Sequence, residues 1–337
     1  MTSTFLLEIG TEELPADFAR QALDQLQERV GRDLRDSRLD HESVQVLGTP
    51  RRLVVRVHGL ADRQPDLEED RKGPPVAQAF KDGVPGPAAI GFAKRCGVDP
   101  SQLEVRDTPK GECVFASVRT EGHNSVDLLQ ELIPAWINGL QGRRFMRWGT
   151  GSQRFSRPIR WLLALKGVDL IPVEIPGADP PVRSDRFSRG HRLHGEQPLP
   201  IDTAEAYDVT LAAAGVIVDR QQRAALIRSL LDASANQLNG LPDCPESLFE
   251  ELVDLVESPR LLQGSIAERF LSLPPEVIIT VMQAHQRYVP LKVPEVTPDP
   301  LQLEATRVLQ RDFLLVGNGL EAADALITRG NEPVSYT

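Results

Sequence analysis

The sequence predicts an α+β protein of more than one domain, built from mixed antiparallel sheets and grouped helices. Three observations carry that reading. Strand-like segments come in hairpin-like pairs, at 44–60 and again at 159–175, rather than alternating singly with helices. Helical segments are grouped, at 203–214, 219–238 and 246–257. A third observation is size: 337 residues suffice for two or three ordinary domains, and 41% hydrophobic with 26% charged residues is a globular balance.

The elements follow in order. "TFLLEI" at 4–9 reads as a strand. Thr11 is then a candidate N-cap, with Glu12 and Glu13 at the positive helix end and Pro15 in the first turn. Phe18, Ala22, Leu26, Val30 and Leu34 form one apolar stripe on a helix ending near residue 36. Residues 44–60 read as two strands about a Gly-Thr-Pro turn, the second half-buried by its alternation. Residues 61–91, rich in Pro, Gly and charge, read as a surface excursion or linker, where strands and long helices are not expected. A helix at 88–96 and a strand at 113–118 complete a first region, 1–122. A central core, 123–325, opens with a helix at 124–141, capped by Asn124 or Ser125. Leu128, Leu132, Trp136 and Leu140 lie along one side of it, and Pro134 should kink or split it. Apolar strands follow at 159–165 and 169–175. "LPPEVIITVMQAHQRYVPL" at 273–291 opens as a helix on two prolines, and "FLLVGNGL" at 313–320 reads as a strand ending in a Gly-Asn-Gly turn. Residues 326–337 form a short tail.

The bulk properties exclude several function classes. A net charge of −10 argues against indiscriminate nucleic-acid binding and confines any such contact to local basic patches. Phosphate-loop, dinucleotide-fold, hydrolase-elbow and zinc-protease motifs are all absent. Cys96, Cys113 and Cys244 are scattered and odd in number, which suits a reducing compartment. The start "MTSTFLLEIGTEEL" has no signal-peptide pattern, and the apolar runs are too short to span a bilayer. A soluble cytoplasmic chain is expected, with neither a membrane nor DNA as partner.

One stretch stands against the acidic background. "RRFMRWGTGSQRFSRPIRW" at 143–161 holds Arg143, Arg144, Arg147, Arg154, Arg157 and Arg160, four large aromatics and no acid. Guanidinium groups pair bidentately with phosphates, and exposed aromatics stack on unpaired bases, so RNA binding is one reading. The other is structural: Phe155 and Trp161 belong to the core, and some arginines pair with this chain's own acids. A second cluster, 181–195, adds Arg183, Arg186, Arg189 and Arg192 with His191 and His194. A phosphate contact or an ion-paired loop fits it better than a metal site, since the two histidines lack a third ligand and arginines repel a cation. His285, Gln286, Arg287 and Tyr288, at the end of the apolar helix, are candidates for contact with RNA or a partner rather than for acid–base chemistry.

Several blocks in fixed order carry a resemblance. They are "LLEIGTEELPADF", "KGPP…AF" at 72–80, "GFAKRCGV" at 91–98, "RWG…FSRPIRWLLAL" at 147–165, "GHRLHG" at 190–195, the 273–291 block, "FLLVGNG" and "GNE" at 330–332. Together they resemble the β-subunit family of bacterial glycyl-tRNA synthetase over nearly the whole chain. The resemblance implies an α2β2 tetramer that charges tRNA(Gly) with glycine, using ATP and Mg2+ at a class II site on the α subunit. The β subunit would bind and position tRNA, with no catalytic residue, metal or cofactor of its own. The rival expectation is a non-catalytic interaction subunit whose basic block docks on the α subunit. Family β subunits run to roughly twice this length, continuing with an HD-type helical domain and an anticodon-binding domain. The chain is therefore expected to be a fragment or the product of a split or frameshifted gene, without anticodon recognition and not catalytically active alone.

Overall fold

The computed structural model describes residues 2–81, 83–109, 111–195, 197–293 and 309–319. The class is α+β, with several antiparallel sheets, as the sequence predicts. The described residues form two compact units, one from those within 34–40 and 61–128, the other from those within 2–33, 41–60 and 129–319. The expected boundary at 122 falls inside the smaller unit. The expected tail at 326–337 lies outside the described residues.

In the larger unit β1 (Thr2–Thr11) leads into α1 (Ala16–Asp36). The stripe Phe18, Ala22, Leu26, Val30 and Leu34 is buried along its whole length. Thr11 does not cap that helix. It pairs with Ile159 as the last residue of β1, its amide donates to Arg51 O at 2.8 Å, and the helix starts only beyond Pro15. Sheet pairing here outweighs a local capping preference. β2 (Ser43–Thr49) and β3 (Arg52–Ala61) form the expected hairpin, in register from Ser43–His58 to Thr49–Arg52. β3 is not half-buried: Leu53, Val54 and Val55 are all fully buried. Val54 packs with Ile201, Tyr207, Leu211 and Val218 on one face, which removes the solvent side that alternation implied.

The smaller unit overturns the reading of 61–91 as an excursion without strands. β4 (Leu67–Pro75) pairs antiparallel with a later strand, and α2 (Pro87–Cys96) follows. β5 (Glu104–Arg106) and β6 (Cys113–Thr120) complete a three-stranded sheet with β6 central. The sequence does not announce β4 because "EEDRK" carries no apolar alternation; it is an exposed edge strand held by backbone bonds to β6. Ala89, Phe92 and Cys96 of α2 pack with Val114 and Ala116 to form this unit's core.

α3 (Ser125–Asn138) runs unbroken through Pro134. Its buried line is Leu129, Ile133, Trp136 and Ile137, one position round from the expected Leu128 and Leu132. β7 (Ile159–Lys166) pairs antiparallel along β1, from Phe5–Lys166 to Thr11–Ile159, and Leu162 to Leu165 are buried without interruption. Each such large side chain contributes ~1.5–3 kcal/mol of apolar burial. The sheet order is 169–170, β7, β1, β3, β2. Of the strand expected at 169–175, Asp169–Leu170 pairs with β7 and Glu174 makes an isolated antiparallel bridge with Arg183. β8 (Phe187–Arg189) forms a short ladder with Pro198–Pro200.

The grouped helices are α4 (Tyr207–Ala213), α5 (Arg220–Gln237) and α6 (Glu246–Leu255), close to their expected bounds. β9 (Pro259–Ser265), α7 (Pro275–Val281), β10 (Tyr288–Lys292) and β11 (Leu309–Asn318) follow. The helix expected from 273 stops early. A π turn at Met282–Gln286 widens its last turn, Arg287 takes a left-handed φ of 56°, and the chain reverses into β10. The closing sheet is antiparallel, in the order 241–242, β10, β11, β9, and its core joins Ile227, Leu231, Phe249, Leu252, Val289 and Leu314.

Gly10 gives a test of this packing. A Cβ there would lie 1.8 Å from the Trp161 ring on β7. Gly10→Ala is expected to cost about 1–3 kcal/mol of stability through overpacking. Denaturant unfolding followed by tryptophan fluorescence checks it; an unchanged midpoint would refute the close approach.

Candidate functional site

At the base of the larger unit lies a buried polar cluster. Arg52, the first residue of β3, is wholly buried between two carboxylates, Glu8 of β1 and Glu257 beyond α6. Its Nη1 donates to Glu8 Oε1 at 3.1 Å and to Arg189 O at 2.9 Å; its Nε donates to Glu257 Oε1 at 3.2 Å. Trp161 Nε1 and Ser188 Oγ also donate to Glu8 Oε1, at 3.0 and 2.9 Å. The Thr49 hydroxyl donates to Glu257 Oε1 at 2.5 Å. Burial alone would raise the Glu257 pKa, but the Arg52 charge, the Thr49 hydrogen bond and the Arg51 charge outweigh it and hold the carboxyl below its usual range. His191, a candidate phosphate contact by sequence, is buried. Its Nε2 lies 3.0 Å from Asn318 Oδ1, and its Nδ1 accepts from the Leu193 amide.

Above this cluster opens a hollow of about 480 Å³ lined by Glu12, Arg51, Arg160, Trp161, Arg189, Gly190, Arg192 and Gly195. Four arginines face one glutamate in that lining. Arg160 Nε bonds Glu12 Oε1 at 2.7 Å, and Arg192 Nη2 pairs with Glu13 Oε1 at 2.9 Å. Arg189 donates to the Ser188 carbonyl at 3.1 Å. Arg51 is half-buried, with its Nε enclosed and without a partner among the described residues. Burial, reinforced by the neighbouring Arg52 and Arg192 charges, holds the Arg51 pKa below the usual guanidinium range despite Glu257 and Glu12. The guanidinium carbons of Arg51 and Arg52 lie 5.7 and 5.6 Å from the Trp161 ring centroid.

The arginine window divides. Phe155 and Trp161 are core, as the structural reading had it, and Phe155 packs edge-on to Phe18 with ring centroids 5.5 Å apart. All six arginines are exposed. Arg160 is ion-paired; Arg143, Arg144, Arg147, Arg154 and Arg157 have no carboxylate partner among the described residues. A single bridge, Met146 to Phe155, closes the loop and sets positions 147 and 154 beside it. Arg143 and Arg154 line a second hollow of about 400 Å³ with Gln141 and Ser152. The structure thus separates two basic places: an open loop, and a recessed hollow that joins Arg160 to Arg189 and Arg192.

The remaining sequence candidates lie elsewhere. Arg186 donates to Val168 O at 3.2 Å, and Arg183 pairs with Glu174 at 2.7 Å. His285 and Gln286 are exposed on the π turn, whereas Arg287 bonds Glu251 at 2.9 Å. Tyr288 is buried in β10 and stacks on Phe313 with ring centroids 4.8 Å apart, so these four do not present one face. Beside them lies an apolar cavity of about 320 Å³ lined by Phe270, Leu273, Val277, Ile278 and Val281, among others. Sequence reasoning missed Arg51 and Arg52. The only signal was an arginine pair directly after a hairpin turn, "GTPRR", inside an otherwise apolar strand pair.

Comparison with known proteins adds the family. The family model described as glycyl-tRNA synthetase beta subunit matches residues 5–335. The glycine–tRNA ligase beta subunit of Gloeothece citriformis is 43% identical over 331 residues, covering 98% of this chain and 45% of that protein. That of Synechocystis sp. is 44% identical over 328 residues, covering 97% and 44%. That of Moorella thermoacetica is 40% identical over 337 residues, covering 99% and 46%. The chain spans about half the length of the curated relatives it matches.

The buried cluster predicts a pH response. Because the folded Glu257 pKa is depressed, its contribution is present above the unfolded carboxylate pKa of about 4.3 and disappears as pH falls through the lower folded value. Glu257→Gln should flatten the acid limb of stability against pH below about 4.3. It should also cost about 3–5 kcal/mol at neutral pH by leaving Arg52 underpaired. Urea midpoints measured from pH 3 to 7 decide this; parallel curves for both proteins would contradict it.

Proposed function

The chain belongs to the glycyl-tRNA synthetase β-subunit family, and from that premise we propose that it serves as the tRNA-holding part of a glycine–tRNA ligase. In this reading the ligase is a cytoplasmic α2β2 assembly. ATP, Mg2+ and the glycyl-transfer chemistry belong to the α subunit, and this chain contributes grip and orientation rather than a reacting group. One observation carries the reading: five exposed arginines, Arg143, Arg144, Arg147, Arg154 and Arg157, lack any carboxylate partner among the described residues of an acidic chain. Exposed guanidiniums left unneutralised are available to phosphates, while the surrounding negative charge disfavours binding elsewhere on the surface. Holding a substrate at the correct angle accelerates a reaction without any chemistry in the holder.

A second reading concerns the α subunit and rests on a different observation. Charge alone would dock that partner on the basic block, but an apolar surface suits it better. Phe270, Leu273, Val277 and Val281 are exposed together around the 320 Å³ cavity, the kind of surface that marks a protein partner.

Each reading has its own experiment. Arg147→Glu with Arg154→Glu should weaken tRNA(Gly) binding, and the slope of log K against log salt should become shallower by about 1 for each phosphate no longer neutralised. Unchanged affinity and slope would remove the open loop from the tRNA surface. Val277→Asp with Val281→Asp should abolish co-purification with the α subunit while leaving tRNA affinity intact; retained co-purification would remove the apolar surface from that interface.

A further inference from the structure

We propose that the hollow lined by Arg51, Arg160, Arg189 and Arg192 is a phosphate-binding site, with Glu12 and Glu13 as built-in competitors that a phosphate displaces. The phosphate chemistry stands by itself; that an RNA carries the phosphate rests on the function proposed above.

The hollow differs from the open arginine loop in being recessed and partly neutralised. Its volume, about 480 Å³, is that of a small-ligand pocket. Its floor is fixed. The Trp161 indole is held by its bond to Glu8 at 3.0 Å, and the Arg189 carbonyl is held by Arg52 at 2.9 Å. Arg51 stands on that floor with its Nε enclosed and unpartnered among the described residues. The Arg52 and Arg192 charges crowd it, and an incoming anion would relieve that repulsion. Arg189 also has no carboxylate partner among the described residues, and Gly195, with open space where a side chain would stand, leaves the wall beside it open.

The rim is different in kind. Arg160 and Arg192 are 56% and 48% exposed at the side chain, and Glu12 and Glu13, their partners, are 41% and 56% exposed. Exposed pairs of this sort hold weakly. Phosphate offers the same guanidiniums more acceptor oxygens and more charge than a carboxylate, in the bidentate geometry that arginine favours. Glu12 and Glu13 therefore keep the hollow from filling with any passing anion while yielding to a phosphate. They lie in "LLEIGTEEL", outside the regular elements between β1 and α1, where they can swing aside without disturbing either.

The test titrates the chain with inorganic phosphate and with pyrophosphate by calorimetry. Saturable binding at one site is expected. Arg192→Gln should weaken it about tenfold, and Arg51→Gln at least as much. Arg192 is at the exposed rim, so its variant reports even if Arg51→Gln fails to fold. Glu12→Gln with Glu13→Gln should tighten binding about three- to tenfold, a sign that a merely structural role for these pairs would not give. Absent or non-saturable phosphate binding, an unchanged Arg192→Gln, or an unchanged or weaker double glutamine variant would each overturn the proposal. Short RNAs then compete against phosphate: displacement identifies RNA as the source, and a terminal phosphate is distinguished from an internal one by comparing phosphorylated with hydroxyl ends. A chain that binds tRNA without binding phosphate overturns this inference alone. One that binds phosphate but not tRNA overturns only the reading above.

Discussion

The larger unit depends on one buried guanidinium. Arg52 holds Glu8 of β1, Glu257 beyond α6 and the backbone of β8 at once, so stretches up to 205 residues away in sequence meet on a single side chain. A wholly buried charge is tolerated only when paired and hydrogen-bonded. That requirement fixes the geometry: β1, β3, β8 and the start of β9 must arrive together or the charge is left uncompensated. Arg223 of α5 meets the same demand in another way. It bonds to the carbonyls of Gly48, Ile217 and Val218 at 2.7–2.9 Å rather than to a carboxylate, and burial lowers its pKa to about 10. It ties α5 to the end of β2, as Arg52 ties the sheet to the helical half.

The arrangement around Arg52 accounts for the hollow above it. One arginine between two carboxylates leaves a formal excess of negative charge inside the protein. Arg51, the preceding residue, stands where that excess attracts it, and Glu257 and Glu12 are the groups that support its charge. The hollow thus acquires from Arg51 a half-buried positive floor beside the buried Glu257. Its rim is adjustable because its pairs are exposed. Charge in this molecule is consequently graded by burial, from locked at Arg52, through held at Arg51, to open at Arg147 and Arg154.

The α1 stripe and the hairpin of β2 and β3 were legible in the sequence, because each follows from local periodicity or a turn, and both form at nearly their expected bounds. β4 was hidden because its stability lies in pairing with β6, a strand much later in the chain, and its own side chains are charged and exposed. β10 was hidden because the helical pattern before it runs on in composition while a left-handed Arg287 ends it in space. Six arginines in a window were conspicuous, yet the window does not form one site. Its last arginine joins Arg51, Arg189 and Arg192, a grouping created by the pairing of β7 with β1 and by the hairpin turn, neither of which is spacing along the chain.

The aromatics in that window settle how the open arginines are presented. An aromatic beside an arginine can be either a platform for a base or an anchor. Phe155 is an anchor: it is buried, and with Phe18 and Phe145 it forms a ring cluster with centroid separations of 5.5–5.9 Å. Trp161 is likewise held from below by Glu8. Arg154 and Arg160, each directly preceding a buried ring, are exposed, while Ser156 and Leu162 on the other side of those rings are buried. A loop tethered in this way gives up little freedom when it meets a charged partner. Alternation of ring and guanidinium therefore places exposed charge beside a buried anchor.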